Sequence, residues 1–277
     1  MRKFLLFALL FSSVISAKPI VTASILPTKY FIEQISGDLL EVNVMVSENA
    51  NPHLYEPKPK QIKMLEKSDL FFAIGIDYEK AFLNKIQGTF QNLKIIKTQE
   101  NITLLPMVHH HGNHHHQRLD PHIWLDPILV KIQAQNITNA LSEKYPHFKE
   151  TFQENLKIFN EKLDILDKET RENLSNLKNR KFIVYHPSWG YFAKRYDLEQ
   201  IAIEIEGKEP KPASLMKLIT FAKENQIKVI FVSPQISSKS AQVIANEVNA
   251  KVLSINHLSA SWLENMQECL QAFKSAL

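Results

Sequence analysis

The chain has 277 residues, of which 33 are Lys or Arg and 29 are Asp or Glu, so its net charge is only +4. This balance excludes the strongly basic surface of a nucleic-acid-binding protein and a polybasic patch for membranes. Cys269 is the only cysteine, which excludes an intramolecular disulfide and a zinc site built on several thiolates. A metal site in this chain must therefore use nitrogen and oxygen donors.

Residues 1–17 have the layout of a secretory signal peptide. Two basic residues are followed by the apolar run Phe4–Phe11, and Ser12–Ser13 and Ser16–Ala17 then lead into Lys18. This run is well short of the roughly 20 residues that span a bilayer. We therefore expect cleavage after Ala17 and a periplasmic mature chain that is not inserted in the membrane. Its net charge would be +2, because Arg2 and Lys3 leave with the signal and no acid does.

Short apolar runs in the first half predict buried β-strands, with a helix over 61–67. The predicted strands are 20–26, 42–46 and 70–74. Further along, apolar residues recur every three or four positions, which predicts one long amphipathic helix of roughly 45 Å. These residues are Phe148, Phe152, Leu156, Phe159, Leu163 and Leu166. Thr170 interrupts the apolar stripe, and Leu174 and Leu177 extend it.

The last third again alternates between predicted strands and helices. The strands are 182–185, 228–232 and 251–255, and the helices are 215–223 and 240–248, with Ser214 and Ser237–Ser238 as candidate N-caps. Alternating strands and helices predict parallel sheets covered on both faces. We therefore expect an N-terminal α/β lobe over 18–140, a linking long helix over 141–180 and a C-terminal α/β lobe over 181–277.

Eleven histidines are the main chemical signal of the sequence. His53, His122 and His186 follow predicted strands or lie in connecting loops, and ligands of parallel α/β sheets bind outside the carboxyl ends of the strands. A single histidine in such a place is usually structural, and we interpret His147 in that way. Three of them indicate a nitrogen-rich metal site, since tetrahedral Zn²⁺ needs three or four protein donors.

Six further histidines lie close together in a polar segment over 107–118. They are His109, His110, His111, His114, His115 and His116. The composition predicts a loop without regular structure. Six neutral imidazoles on such a segment would capture metal weakly and at several positions.

Five segments of the sequence resemble a known family. They read PHLYEPKPKQIKMLEKSDL, DPHIWLDP, HPSWGYFAKRYDL, IEGKEPKPASL and FVSPQISSKSAQVIANEVNAKV. In this order they are similar to motifs of the periplasmic solute-binding proteins of metal ABC importers, and most similar to the zinc-uptake branch. The resemblance runs over almost the whole mature chain, and the zinc branch typically carries a histidine-rich loop at the same place.

The resemblance implies a fold and a function. The fold would be two lobes with parallel four-stranded sheets joined by one long rigid helix, with the metal in the cleft between the lobes. Matched by motif, the metal ligands would be His53, His122 and His186. The protein would bind Zn²⁺ tightly and, as a monomer, dock transiently on a membrane permease, without catalysing a reaction.

One segment departs from the family pattern. Where the family usually supplies an acidic fourth ligand, this chain has Asn256 followed by His257. A neutral amide is a poor Zn²⁺ ligand, so we expect water or a mobile group in the fourth position. Alternation along an extended segment predicts that His257 points to the opposite face. A histidine of the 107–118 loop is a further candidate.

Three other functions remain open from the residues alone. A three-histidine zinc hydrolase has the same donors, although the sequence offers no general base at a fixed spacing and no HExxH motif. A manganese or iron binder of the same family would prefer more oxygen ligands. A surface adhesin would need an anchor or an exposed apolar patch, and the sequence indicates neither.

Deletion of the loop from His109 to His116 tests whether the two groups of histidines have different roles in zinc binding. Because the loop is predicted to lie outside the core, the deletion should remove additional weakly bound zinc and leave one tight site. Zinc titration against a competing chelator measures both. Loss of the tight site would make a loop histidine a primary ligand.

Overall fold

The structure is a computed structural model, and it describes residues 17–86, 88–107, 118–205, 207–236 and 239–277. Three sequence predictions lie outside these residues: the signal peptide up to residue 16, the six histidines of the 107–118 loop, and the candidate caps Ser237–Ser238. Among the helices of these described residues, none combines the length and the apolar character that a membrane span requires.

The first lobe is built on a sheet of four parallel strands. These are β1 (Ile20–Ala23), β2 (Glu41–Val44), β3 (Leu70–Ala73) and β4 (Lys94–Lys97). The helices of this part are α1 (Leu26–Ser36), α2 (Pro59–Glu66), α3 (Asp77–Ile86) and α4 (Pro127–Lys144). The strands lie in the order β2-β1-β3-β4. Short 3-10 turns at Gly37–Leu39, Pro52–Leu54, Ile123–Leu125 and Pro146–Phe148 complete it.

The long helix α5 (Lys149–Leu174) leads into the second lobe, which repeats this topology. Its strands are β5 (Lys181–Val184), β6 (Glu199–Ala202), β7 (Val229–Val232) and β8 (Lys251–Ser254). Its helices are α6 (Gly190–Arg195), α7 (Pro212–Glu224), α8 (Lys239–Val248) and α9 (Trp262–Ala276). The parallel strands lie in the order β6-β5-β7-β8. The prediction of an α/β fold with two parallel four-stranded sheets is confirmed.

Apolar runs located three strands in each lobe and missed the fourth. The missed strands, β4 and β6, lie at sheet edges and read KIIK and EQIA. An edge strand is partly exposed, so it does not need the continuous apolar run that marks a central strand such as β3. All four residues of β3 are buried.

Proline and aspartate set several helix starts. Helices α1, α2, α4 and α7 each have a proline within their first two positions, where its fixed φ favours the helix and its missing N–H costs nothing. Asp126 caps α4 by accepting the backbone N–H of Ile128 at 2.9 Å. The prediction of Ser214 as an N-cap is wrong, because α7 already begins at Pro212 with Lys211 as its cap.

Helix α5 connects the lobes over 26 residues, or about 39 Å. It packs against α1 and α4 in the first lobe and against α9 in the second. Thr170, which interrupts the apolar stripe in the sequence, is buried within the helix, and its hydroxyl donates to the Leu166 carbonyl at 2.7 Å. The interruption therefore does not end the helix, because its polar atom is satisfied locally.

Aromatic side chains join the two lobes next to α5. Phe31 of α1 makes an edge-to-face contact with Trp262 of α9, with the ring centroids 5.1 Å apart. Phe159 of α5 lies 5.9 Å from Phe31. All three side chains are fully buried and belong to one hydrophobic core that continues from the first lobe into the second. This shared core limits how far the lobes can move apart.

Phe159→Ala should destabilise the protein by about 3–5 kcal/mol, because it leaves a cavity between α1 and α5 that the packed rings cannot fill. The matched control is Ile158→Ala on the same helix, where the side chain is 45% exposed, and we expect a change within about 0.5 kcal/mol. Urea unfolding of both variants measures the difference. Equal effects would contradict this account of the shared core.

Candidate metal centre

His53 reaches the cleft from the first lobe. It lies in the 3-10 turn Pro52–Leu54, in the loop that follows β2. The side chain of Asn51 accepts the backbone N–H of His53 at 2.9 Å and so fixes the start of the turn. The His53 ring is partly exposed, and its Nε2 has no hydrogen-bond partner among the described residues. That nitrogen is available as a donor to a metal.

His122 is fully buried in the connection between β4 and α4. A single carboxylate oxygen of Asp120 accepts its backbone N–H at 2.9 Å and lies 2.6 Å from its Nδ1. The peptide carbonyl of Asp120 accepts the hydroxyl of Tyr191, from α6 of the second lobe, at 2.8 Å. The His122 ring is therefore held through Nδ1, which leaves Nε2 directed at the cleft.

His186 follows β5 by one residue, at the point where the strand order of the second sheet reverses. Ligands of doubly wound sheets bind at this position. Its Nδ1 lies 2.8 Å from the carboxylate of Glu204, which follows β6. Both side chains are at least nine-tenths buried. As with His122, a carboxylate orients the ring and Nε2 stays available.

These three side chains form the three-histidine cluster, and one donor nitrogen of each lies within 4.8 Å of the other two. The Nε2 atoms of His122 and His186 are 3.3 Å apart. Two ligands on a tetrahedral zinc with Zn–N bonds of 2.0–2.1 Å would be roughly 3.3–3.4 Å apart. The spacing therefore fits a zinc ion held between the imidazoles.

Burial favours the neutral form of two rings of the cluster, His53 and His122. Burial, assisted by the neighbouring His186, His122 and Arg118, lowers the pKa of His53 to about 2. Burial also holds the pKa of His122 well below its usual range, assisted by His186. Neutral imidazoles have a free lone pair, so at neutral pH protons do not compete with a metal for these two rings.

The carboxylate that orients His122 has a shifted pKa of its own. Burial raises the pKa of Asp120 to about 7, against the opposing effects of the His122 backbone N–H and of His186. A carboxylate placed out of water in this way is stabilised by a cation close by. Metal bound at the cluster would therefore favour the charged form of Asp120.

A cavity of about 320 Å³ opens onto the cluster beside His53, His186 and Glu204. Arg118 and Asp77 form an ion pair at its lining. His122 lies behind the other two histidines and has no exposed surface. A metal ion would thus reach His53 and His186 before His122.

The structure brings together the three histidines that the motifs single out and leaves His147 outside. His147 is exposed beside Phe148 at the start of α5. Sequence reasoning missed the orienting carboxylates. Asp120 could have been found from the sequence, because it lies two residues before His122. Glu204 could not, because only the pairing of β5 with β6 brings it to His186.

The prediction that His257 points away from the cleft is wrong. Its ring centroid lies 5.9 Å from those of both His122 and His186, and the side chain is 2% exposed. Strand β8 ends at Ser254, so the alternation of an extended strand no longer applies at residue 257. The side-chain oxygen of Asn256 instead accepts hydrogen bonds from Gln235 and from the Leu258 backbone.

The sequence also matches a known family over nearly the whole described chain. A sequence model of the family described as ZnuA, the periplasmic component A of the zinc-uptake complex, matches residues 21–276. The chain belongs to this family. The resemblance stated from the five motifs is therefore confirmed.

Relatives and solved structures agree with this family. The High-affinity zinc uptake system protein ZnuA of Bacillus subtilis (strain 168) is 31% identical, over 93% of this chain and 87% of the relative. The zinc-binding lipoprotein AdcA of Streptococcus pneumoniae is 31% identical over 87% of this chain, which spans about half of AdcA. A crystal structure of ZnuA has 40% sequence identity and a TM-score of 0.89, and covers 94% of this chain and 99% of that one.

His53→Gln should reduce the acid sensitivity of the protein in the presence of a chelator. Because the folded pKa of His53 is about 2 and that of an unfolded histidine is about 6.5, the unfolded chain binds the extra proton between these values. This contribution destabilises the fold as pH falls below about 6.5. The loss of Tm from about pH 7 to about pH 5 should be smaller in the variant. His147→Gln, which removes an exposed histidine, should retain the parental loss. Equal losses in all three proteins would contradict the assigned cause.

Proposed function

We propose that this protein is the zinc-binding component of an ABC-type importer, capturing Zn²⁺ in the periplasm and delivering it to a membrane permease. The observation that carries the proposal is the three-histidine cluster, in which three imidazoles converge to within 4.8 Å in a cleft. Membership of the zinc-uptake family supports the same function.

The proposed ligands are His53, His122 and His186. The first two belong to the lobe of β1–β4, and the third belongs to the lobe of β5–β8. A metal held by all three would bridge the cleft and resist separation of the lobes. Its release would need only a small displacement of one lobe, because losing His186 leaves two protein donors, fewer than zinc requires.

The shared aromatic core supports capture without a large closure. Phe31, Phe159 and Trp262 tie α1, α5 and α9 together, so a wide hinge motion would expose buried rings. We therefore propose that the lobes stay nearly fixed and that docking on the permease supplies the displacement for release. We propose a monomer that makes this contact transiently.

Export and domain organisation belong to the same proposal. Cleavage after Ala17 would release a periplasmic chain, in keeping with the periplasmic description of the family. The proposed units remain the N-terminal lobe over 18–140, the linking helix over 141–180 and the C-terminal lobe over 181–277. The loop with histidines 109–111 and 114–116 is proposed as an auxiliary, weak metal trap.

Binding fits this centre better than hydrolysis. The two buried carboxylates at the site, Asp120 and Glu204, are both hydrogen-bonded to imidazole nitrogens of the cluster. Neither is free to activate a water as a general base. A nitrogen donor set also favours Zn²⁺ over Mn²⁺, which binds such ligands weakest among the first-row divalent ions.

His186→Ala should lower the affinity for Zn²⁺ by about tenfold or more, equivalent to about 1.4 kcal/mol. The variant removes the one imidazole that the second lobe contributes to the three-histidine cluster. His147→Ala is the matched control, since it removes a histidine outside the cluster and should bind as the parent does. Calorimetry against a competing chelator measures all three proteins.

The same titrations with Mn²⁺ separate this function from that of a manganese binder. Zn²⁺ should displace Mn²⁺ when both are present in equal amounts. Manganese binding as tight as zinc binding would reject the zinc assignment. Turnover of phosphoesters or esters by the zinc form would favour the hydrolase.

A further inference from the structure

The three-histidine cluster leaves one zinc ligand unassigned. Tetrahedral Zn²⁺ in a binding site takes four donors. Within the described part of the chain, His53, His122 and His186 form the only group of three or more histidine, cysteine or acidic side chains with donor atoms close enough for a metal. Among the described residues, no acidic side chain joins them as a fourth member. The two carboxylates nearby already hold the rings of the cluster.

His257 lies next to this cluster and is a buried polar side chain without a hydrogen-bond partner among the described residues. It is 2% exposed, and neither ring nitrogen has a hydrogen-bond partner among the described residues. A buried polar group without a partner costs free energy comparable to a lost hydrogen bond or more. Binding a metal through one nitrogen would remove part of that cost.

From these observations we infer that His257 moves onto the metal and serves as the fourth protein ligand of Zn²⁺. The inference rests on the proposed zinc function of the cluster and names a residue beyond its three motif histidines. The resulting site would hold the ion with four imidazoles, two from each lobe.

The position of the ring supports this role. Its centroid is equally distant, at 5.9 Å, from those of His122 and His186. Centroids within the three-histidine cluster are 4.7–5.4 Å apart, close to the roughly 5 Å expected for imidazoles on one zinc ion. His257 is thus outside bonding geometry by roughly 1 Å, a shift that small side-chain rotations supply within a rotamer well.

The backbone carbonyl of His257 is held at the cleft, whereas no hydrogen bond among the described residues holds its ring. The carbonyl of His257 accepts the indole N–H of Trp124 at 2.6 Å, and Trp124 comes two residues after His122. The carbonyl of Trp124 accepts the indole N–H of Trp262 at 3.0 Å. These bonds fix the distance between the two segments that carry His122 and His257.

The neighbouring residue cannot take this place without breaking existing bonds. The side-chain oxygen of Asn256 accepts from Gln235 Nε2 at 2.9 Å and from the Leu258 backbone N–H at 3.0 Å. A metal bond to this oxygen would compete with both hydrogen bonds. His257 has no such competing partner among the residues that the structure describes.

The test compares zinc affinity in His257→Ala, His186→Ala and the control His147→Ala. We expect His257→Ala to weaken Zn²⁺ binding by about tenfold or more and His147→Ala to leave it unchanged. Parental affinity in His257→Ala, together with a loss in His186→Ala, would overturn the fourth ligand and leave the proposed function intact. Parental affinity in both would reject the three-histidine site itself.

A second measurement needs only the parental protein and so does not depend on the folding of a variant. Zinc is replaced by Co²⁺ in a non-coordinating, chloride-free buffer, and the visible spectrum is followed from about pH 7 to about pH 9. Four imidazoles should give a constant spectrum, because no bound water is present to lose a proton near neutral pH. A parental spectrum that titrates in this range would show a water ligand and overturn the inference.

Discussion

The hydrogen bond between each buried imidazole and its carboxylate is the interaction on which the metal site depends. Asp120 holds His122, and Glu204 holds His186, each through Nδ1. The carboxylates select one tautomer and direct Nε2 into the cleft. Burial favours the neutral form of the His53 and His122 rings, so the donors are ready for a metal before it arrives. The site is therefore preorganised in both geometry and charge.

The two lobes supply this preorganisation through repeated topology. Both sheets have the same strand order, and in each the strand order reverses next to the first strand. In the second lobe, His186, Glu204 and His257 all follow strand ends. A single edge of the sheet therefore carries a proposed ligand, its orienting carboxylate and the inferred fourth ligand. Tyr191 and Trp124 then bond across the cleft to segments that carry site residues. The packing of α1, α4 and α9 against α5 holds the site-bearing edges of the two sheets in a fixed relative position.

A site with only neutral protein donors has a consequence for transport. In such a site no ligand would carry a negative charge, and compensation would come only from the Asp120 and Glu204 carboxylates behind the imidazoles. The affinity for zinc must then come from the number of donors and their geometry. Removing the donors of one lobe would leave too few for tetrahedral coordination. The protein can therefore bind zinc tightly and still release it when one lobe is displaced by a small distance.

The sequence by itself determined the fold class, the long helix and the three motif histidines. Buried parallel strands appear in the sequence as continuous apolar runs, and α5 appears as apolar residues with a 3.6-residue period. Both patterns are local, because they follow from which side chains of one element are buried. The edge strands β4 and β6, the pairing of Glu204 with His186 and the direction of His257 were decided by tertiary structure. Strands β4 (KIIK) and β6 (EQIA) lack a continuous apolar run, and Glu204 meets His186 only through the pairing of β5 with β6. His257 lies beyond the end of β8, where strand alternation no longer sets side-chain direction and the indole of Trp124 fixes the backbone.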